Sequence, residues 1–320
     1  MGKIEGCANP SDREFFGLRL DATGAEGTFR VLDHMSNPRG TFYGGAGVAV
    51  AAAAMEAATE RRLLWTTAQF TETASRGDDL QCRIDVLAHG RRTSQIRATI
   101  TRGDAVVLTA LGATGEQRDE VVATFDRMPS VHPPEASPEV EFDLDGDISR
   151  SRFAVTEHRV AAAPSDLDGT GTHVAWWCRV DGLATSAPTL AYVSDLLTFG
   201  VTQALRRPVG RATSLDNTLR VGPAAETDWM LLDVRAQSTS GGFAHGLVNM
   251  WTRDGILLAT ASQSLVMRSG PAGPAGPSTS NAAAPHPTPE SDQQQDHDDH
   301  RIEERVGDHA RPEPLVVPPQ

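Results

Sequence analysis

Residues 188–207 read Pro-Thr-Leu-Ala-Tyr-Val-Ser-Asp-Leu-Leu-Thr-Phe-Gly-Val-Thr-Gln-Ala-Leu-Arg-Arg, and the rest of the chain is organised around them. The stretch predicts one helix. Ser186 is placed to cap it, Pro188 suits its first turn, and Arg206 and Arg207 complement the dipole at the far end. Leu190, Ala191, Tyr192, Val193, Leu196, Leu197, Phe199 and Val201 leave almost no polar face, so burial nearly all round is expected. Asp195 falls in the middle, too far from either end to serve as a cap. A desolvated carboxylate is costly to keep ionised, so Asp195 needs either a structural partner or a chemical task.

Working outward, composition sets the bounds. The 320 residues leave room for two domains of ordinary size, and 39% hydrophobic residues suffice for a real core. No apolar run is long enough to span a bilayer, and Met1–Cys7 lack the apolar centre of a signal peptide. Cys7, Cys82 and Cys178 are odd in number and far apart, which suits ordinary thiols in a reducing cytoplasm. A net charge of −13 argues against nucleic acid as a partner.

The chain carries the same order of elements twice. Phe29–Met35 alternates like a strand, and a turn-rich loop at 36–45 opens into an Ala-rich helix over Gly45–Arg62. Strand-like runs follow at Thr66–Thr73, Leu80–His89, Thr93–Thr101 and Ala105–Ala113, split by Gly- and Asp-containing turns. After Pro- and Asp-rich sequence, strands are expected at Phe153–Val160 and His173–Val180, then the 188–207 helix. Four more follow at Thr213–Val221, Asp228–Ser238, Phe243–Trp251 and Ile256–Met267. The two copies overlay at an offset of about 150 residues, which means duplicated domains. The expected fold class is α+β. The lead-in, residues 1–27, reads as loose. Ser269–Gln320 is polar, acidic and Pro-rich, and is expected to be disordered, with Asp296–His300 a solvated charge run rather than a metal site.

Here the sequence resembles a known family. A central helix wrapped by an antiparallel meander, present twice, is similar to the double-hotdog acyl-CoA thioesterases of the thioesterase II type. Leu190-Ala-Tyr-Val-Ser-Asp195, Ala212-Thr-Ser-Leu-Asp-Asn-Thr-Leu219, Asp228-Trp-Met-Leu-Leu232 and Asp254-Gly-Ile-Leu-Leu-Ala-Thr-Ala-Ser-Gln263 carry the likeness in the second copy. The resemblance implies two tandem hotdog domains: 1–117, a linker at 118–150, 151–268, and the tail 269–320. It also implies hydrolysis of acyl-CoA to CoA and free acid in fatty acid metabolism. A water would be activated by Asp195 as general base and held by Ser214 and Gln263.

The first copy resembles a different part of the hotdog pattern. Asn37-Pro-Arg-Gly-Thr-Phe-Tyr43-Gly44-Gly45 follows the Asn-x-x-Gly-x-x-His-Gly-Gly loop of single-hotdog relatives, with Tyr43 in place of His. The carboxylate those relatives carry seven residues after the second Gly is Ala52 here, so this copy has lost its own base; Glu56 is the nearest acid. The resemblance implies one composite site, with Asn37, Tyr43 and Gly45 on the substrate-binding and oxyanion side. An amide at a helix N-terminus is unpaired and at the positive end of the dipole, so Gly45 can donate to a carbonyl oxygen. No metal or other cofactor is implied. The partner is the acyl-CoA substrate, and homo-oligomerisation of the duplicated chain is compatible with the sequence.

Each residue also has a plainer role. Ser214 and Gln263 could satisfy strand backbone or each other, Tyr43 could be a packing aromatic, and Asp216 and Asn217 could support the strand. His34 reads as a hydrogen-bonded structural histidine. Two rival functions stand beside hydrolysis: a hotdog hydratase or dehydratase, which would want an Asp/His pair that Asp195 lacks, and a non-catalytic acyl-CoA binding protein.

Overall fold

The computed structural model describes residues 10–116, 123–140, 142, 144–162, 167, 172–205 and 211–268. Cys7, the helix end at Arg206 and Arg207, and the segment 269–320 lie outside them. Among the described residues twelve antiparallel strands form one sheet in the order β1-β2-β4-β5-β6-β3-β9-β12-β11-β10-β8-β7. In chain order these are Arg19–Leu20, Glu26–Arg30, Arg62–Phe70, Asp79–His89, Thr93–Arg102, Ala105–Gly115, Thr156–Ala162, His173–Val180, Arg211–Val221, Met230–Ser240, Phe243–Trp251 and Leu257–Arg268. Four α-helices join them among the described residues longer than a single turn: α1 (Pro10–Phe15), α2 (Gly44–Thr59), α3 (Ala187–Val193) and α4 (Leu197–Leu205).

The duplication is written into the backbone. β3 pairs with β9 so that Thr66 faces Leu219, Thr67 faces Thr218 and Ala68 faces Asn217. Adding 151 to one residue number gives its counterpart, so Thr67 meets its own equivalent, and their hydroxyls bond at 2.7 Å. The strand irregularities repeat as well. A bulge between Leu63 and Trp65 in β3 recurs opposite Ser264/Leu265 in β9, and that between Val86 and Ala88 recurs between Ala236 and Ser238. Bulges bend strands and fix register, so shared bulges mean shared curvature.

The helices pack on the sheet's inner side. Residues Ala46–Met55 are all buried, and α2 packs against β3, β4, β5, β6 and α3. Small side chains permit this close approach, and a Cβ added at Gly47 would stand 3.1 Å from Leu108. The segment expected to be a linker runs across the second repeat. Trp177 Nε1 donates to His132 O at 2.7 Å, and Val140 N and Val160 N bond across to His158 O and Pro138 O. Beneath it Trp177, Trp229 and Trp251 form a small separate core.

Three local expectations change. The loose lead-in contains α1 and β1, because Phe15 and Phe16 pack on Tyr192 at 6.0 and 5.7 Å between ring centres, a tertiary gain that local sequence does not report. The strand expected at Phe29–Met35 stops at Arg30, and Asp33–Met35 form a 3-10 turn. That expected at Phe153–Val160 starts at Thr156, after a 3-10 turn at Arg152–Ala154 capped by Ser151.

Glu56 is 4% exposed and its Oε1 accepts the Leu63 N–H at 2.7 Å, beside the β3 bulge. Burial pushes its carboxyl from 4.5 up to about 7, with Asp12 adding to the rise and the Leu63 N–H opposing it. The native state therefore holds this proton more tightly than the unfolded chain does. Stability from this group is fully present below about 4.5 and declines as pH rises, levelling off above about 7. Glu56→Gln keeps the acceptor without the charge. It is expected to exceed the wild type in stability by roughly 1–3 kcal/mol at pH 8, with the difference vanishing near pH 4, as read by urea unfolding. A pH-independent difference would remove the burial argument.

Candidate functional site

The 188–207 helix is broken where the sequence predicts its middle. Residues 187–193 are all buried, and Ser186 caps α3 by accepting the Thr189 N–H at 3.1 Å. Ser194 then ends α3, and α4 begins at Leu197, so Asp195 sits in the gap, half-buried. The break has a physical cause: side chains from the sheet replace the helix's own bonds. Leu197 N donates to Gln263 Oε1 at 3.3 Å. Ser194 Oγ donates to Ala191 O at 2.8 Å and accepts from Asn217 Nδ2 at 3.0 Å.

Three donors converge on the Asp195 carboxylate, an acceptor-only group when ionised. Ser214 Oγ donates to Oδ1 at 2.9 Å, and Gln263 Nε2 donates to the same oxygen. Gln263 Nε2 also lies 2.8 Å from Ser214 Oγ. From the first repeat, the Gly45 N–H at the start of α2 donates to Oδ2 at 3.1 Å. Tyr43 OH donates to the Asp195 backbone oxygen at 3.1 Å. Burial raises the Tyr43 hydroxyl well above its ordinary value, so it stays a donor.

The strand bulge makes this convergence possible. In a regular strand Ser214 and Asn217, three residues apart, would face opposite sides. The register shift leaves Leu215 outside and exposed, so that Ser214 pairs with Leu265 while Asn217 pairs with Gln263. Both polar side chains then face inward. Asp216 repairs the interrupted ladder, its Oδ1 accepting Ser264 N at 2.7 Å.

The remaining residues divide. Asn37 stands apart from the carboxylate's donors: its Oδ1 accepts the Arg39 and Thr41 amides at 3.0 and 3.1 Å, shaping its own loop. His34 Nε2 lies 2.8 Å from Phe15 O, and burial lowers its pKa. By the offset of 151, the counterparts of the strand residues Ser214 and Gln263 are Leu63 and Gly112; counted from the helix starts at Gly44 and Ala187, an offset of 143, the counterpart of Asp195 is Ala52. The position related by the two-fold axis through Thr67 and Thr218 thus lacks all three polar groups. Among the described residues no cluster of His, Cys, Asp and Glu could hold a metal ion. Sequence reasoning missed the supports at Ser194 and Gly44, and Arg152, whose guanidinium carbon lies 4.7 Å from the Tyr43 ring centre. Nothing in the Ser149-Arg-Ser-Arg152 run signals that contact.

Gly44 shows how tightly the carboxylate is seated. A Cβ there would stand 2.6 Å from Asp195 Oδ2 and 3.0 Å from Phe70, and one on Gly45 would collide with Tyr192 O. Gly44→Ala is expected to lower stability by about 1–3 kcal/mol in equilibrium urea unfolding, because the carboxylate must leave its donors. An unchanged midpoint would mean that the carboxylate does not rest against α2.

Residues 32–115 match the sequence family described as the acyl-CoA thioesterase N-terminal domain, and residues 126–267 match that described as the acyl-CoA thioesterase C-terminal domain. A protein of Novosphingobium aromaticivorans, described as a candidate thioesterase, is 27% identical with a TM-score of 0.73, covering 82% of this chain and 100% of its own. A hot dog fold protein of Alicyclobacillus acidocaldarius, of unknown function, is 21% identical with a TM-score of 0.69 over 82% and 99% of the two chains. An acyl-CoA thioesterase II of Mycobacterium marinum is 19% identical with a TM-score of 0.65 over 81% and 98%. No curated protein matches the sequence. No helix among the described residues is long and apolar enough to cross a membrane. With both domain families matched in order along it, the chain belongs to the acyl-CoA thioesterases of the hotdog fold.

Proposed function

We propose that the chain is a cytoplasmic double-hotdog hydrolase that splits an acyl-CoA thioester with a water activated by Asp195. The observation that carries this reading is the convergence of Ser214, Gln263 and the Gly45 amide on one carboxylate. The two hotdog units, 1–117 and 151–268, would each wrap a helix and contribute one side of a single site per chain. The second repeat supplies the base with Ser214 and Gln263; the first supplies the start of α2.

The chemistry follows from the placement. Asp195 takes a proton from water as the oxygen attacks the thioester carbon. The C–S bond then breaks, and the proton passes to the departing CoA thiolate, leaving the free acid. Ser214 and Gln263, each able to donate and accept, hold the water against the carboxylate. A carbonyl oxygen arriving at the α2 N-terminus competes with Oδ2 for the Gly45 N–H, which sits at the positive end of the helix dipole. Tyr43 and Arg152 border the acyl side. Asn37 acts through its loop, by setting where α2 begins.

The test is Asp195→Asn. General-base contributions are about 10²–10⁴-fold, so kcat is expected to fall by that factor in a thiol-release assay, with KM little changed. Three donors on one carboxylate also mean that the new amide must point its NH₂ at one of them. A stability loss of about 1–3 kcal/mol is therefore expected alongside. Wild-type kcat in a destabilised variant would assign Asp195 a purely structural role and put the base elsewhere, whereas an absence of turnover in the wild type would favour an acyl-CoA binding protein.

A further inference from the structure

Arg152 opens the second repeat but reaches into the first. Its N–H donates to Ser36 O at 2.8 Å, which brings the side chain over Tyr43. The residue is 2% exposed, and its guanidinium carbon lies 4.2 Å from the Phe153 ring centre as well as 4.7 Å from that of Tyr43. Arginine keeps its charge in proteins, so a full cation is buried here. Ring faces stabilise such a cation in part but accept none of its in-plane N–H bonds. Among the described residues neither Nη1 nor Nη2 has a hydrogen-bond partner. The contrast with Arg150 is direct: two residues earlier, that exposed side chain is paired with Asp33 at 3.2 Å.

A second buried group nearby is also unsatisfied. His158 is 4% exposed, neither ring nitrogen has a partner among the described residues, and burial followed by the charge of Arg152 keeps it neutral. Around the two stand Phe142, Phe153, Trp176 and Phe199; Phe142 lies 4.6, 5.8 and 5.2 Å from the other three between ring centres. This aromatic enclosure adjoins the site on two sides. Tyr43, which carries the cation on its ring, gives its hydroxyl to Asp195 O, and Phe199 lies on the helix that starts immediately after the Asp195 break.

We infer that Arg152 receives a carboxylate at the far end of the acyl group, so that the substrates are acyl-CoAs whose chain ends in an acid rather than a methyl. This deepens the hydrolase reading and rests on it. The planar guanidinium fork matches a carboxylate bidentately, which is the acceptor set that Nη1 and Nη2 lack. The multiply charged, strongly hydrated phosphates of CoA suit an open surface, not a 2%-exposed cation between rings. The neutral His158 ring can donate one further bond to the same anion. A chain bearing only methylenes would leave the cation without an acceptor, a cost the ω-acid substrate removes.

The test uses the full chain and matched thioesters: glutaryl-, adipoyl- and suberoyl-CoA against pentanoyl-, hexanoyl- and octanoyl-CoA, followed by thiol release. For at least one length, kcat/KM is expected to favour the acid-ended chain by about tenfold to a hundredfold, the scale of a charge-assisted bidentate pair. In Arg152→Gln that ratio is expected to collapse, and in Arg152→Lys, which keeps the charge but loses the fork, to fall part way. Equal or reversed preference at every length in the wild type overturns the inference even if both variants fail to fold. So does an Arg152→Gln ratio that stays put while both rates drop together, which marks a structural cation. If no thioester is turned over, the hydrolase reading fails separately, and calorimetry decides the arginine: adipate binding without hexanoate binding upholds it, and equal or absent binding overturns it.

Discussion

Everything in this molecule depends on the pairing of β3 with β9. Five residue pairs join the two repeats across the middle of one sheet, with Thr67 and Thr218 bonded through their hydroxyls at its centre. This junction sets the two central helices side by side, and only then can the start of α2 meet the gap between α3 and α4. A carboxylate from one repeat and an amide from the other thus become neighbours although 150 residues separate them in sequence. Sheet continuity supplies the rigidity that such a cross-repeat contact needs, because a paired central strand cannot slide without reversing which side chains face inward.

The second constraint is the interruption at Asp195. An intact helix would have spent the Leu197 N–H on its own backbone and left Gln263 Oε1 without that donor. The observed exchange ties one end of the Gln263 amide to the helix and aims the other at the carboxylate. One side chain thereby fixes both the break and the geometry of the group displayed there. Ser194 with Asn217 does the same from the other side of the gap. The carboxylate is therefore positioned by the sheet more than by the helix that carries it.

Much of the fold was legible because its signals are local. Alternation marked β4, β5, β8 and β11 nearly to the residue, and the offset of about 150 reappears in paired bulges. Asp195, Ser214, Gln263, Tyr43 and Gly45 were picked out on family likeness, and they meet in space. What stayed hidden depends on contacts distant in sequence. The helix break needs Gln263 and Asn217 from other strands, while apolar periodicity runs straight through it. The short α1 exists because Phe15 and Phe16 find Tyr192. Asn37 resembled a site residue, yet its carboxamide is used up on the turn beside it, a choice that backbone geometry makes and residue type does not. Arg152 carried no signal, since an arginine in polar sequence reads as solvated until the fold encloses it.

The exact self-encounter of Thr67 and Thr218 has a consequence for how such a molecule can change. Two separate, identical subunits meeting about this axis would carry every substitution twice, so losing the acid from one active centre would lose it from both. Joining the copies in one chain lifts that restriction. Leu63, Ala52 and Gly112 could become apolar or small on one side of the axis while Ser214, Asp195 and Gln263 stayed polar on the other. On that side Glu56, the nearest acid, serves packing by accepting the Leu63 amide beside the bulge. Symmetry built the sheet, and its loss at chosen positions leaves each chain with one polar centre and one apolar buttress in place of two equal sites.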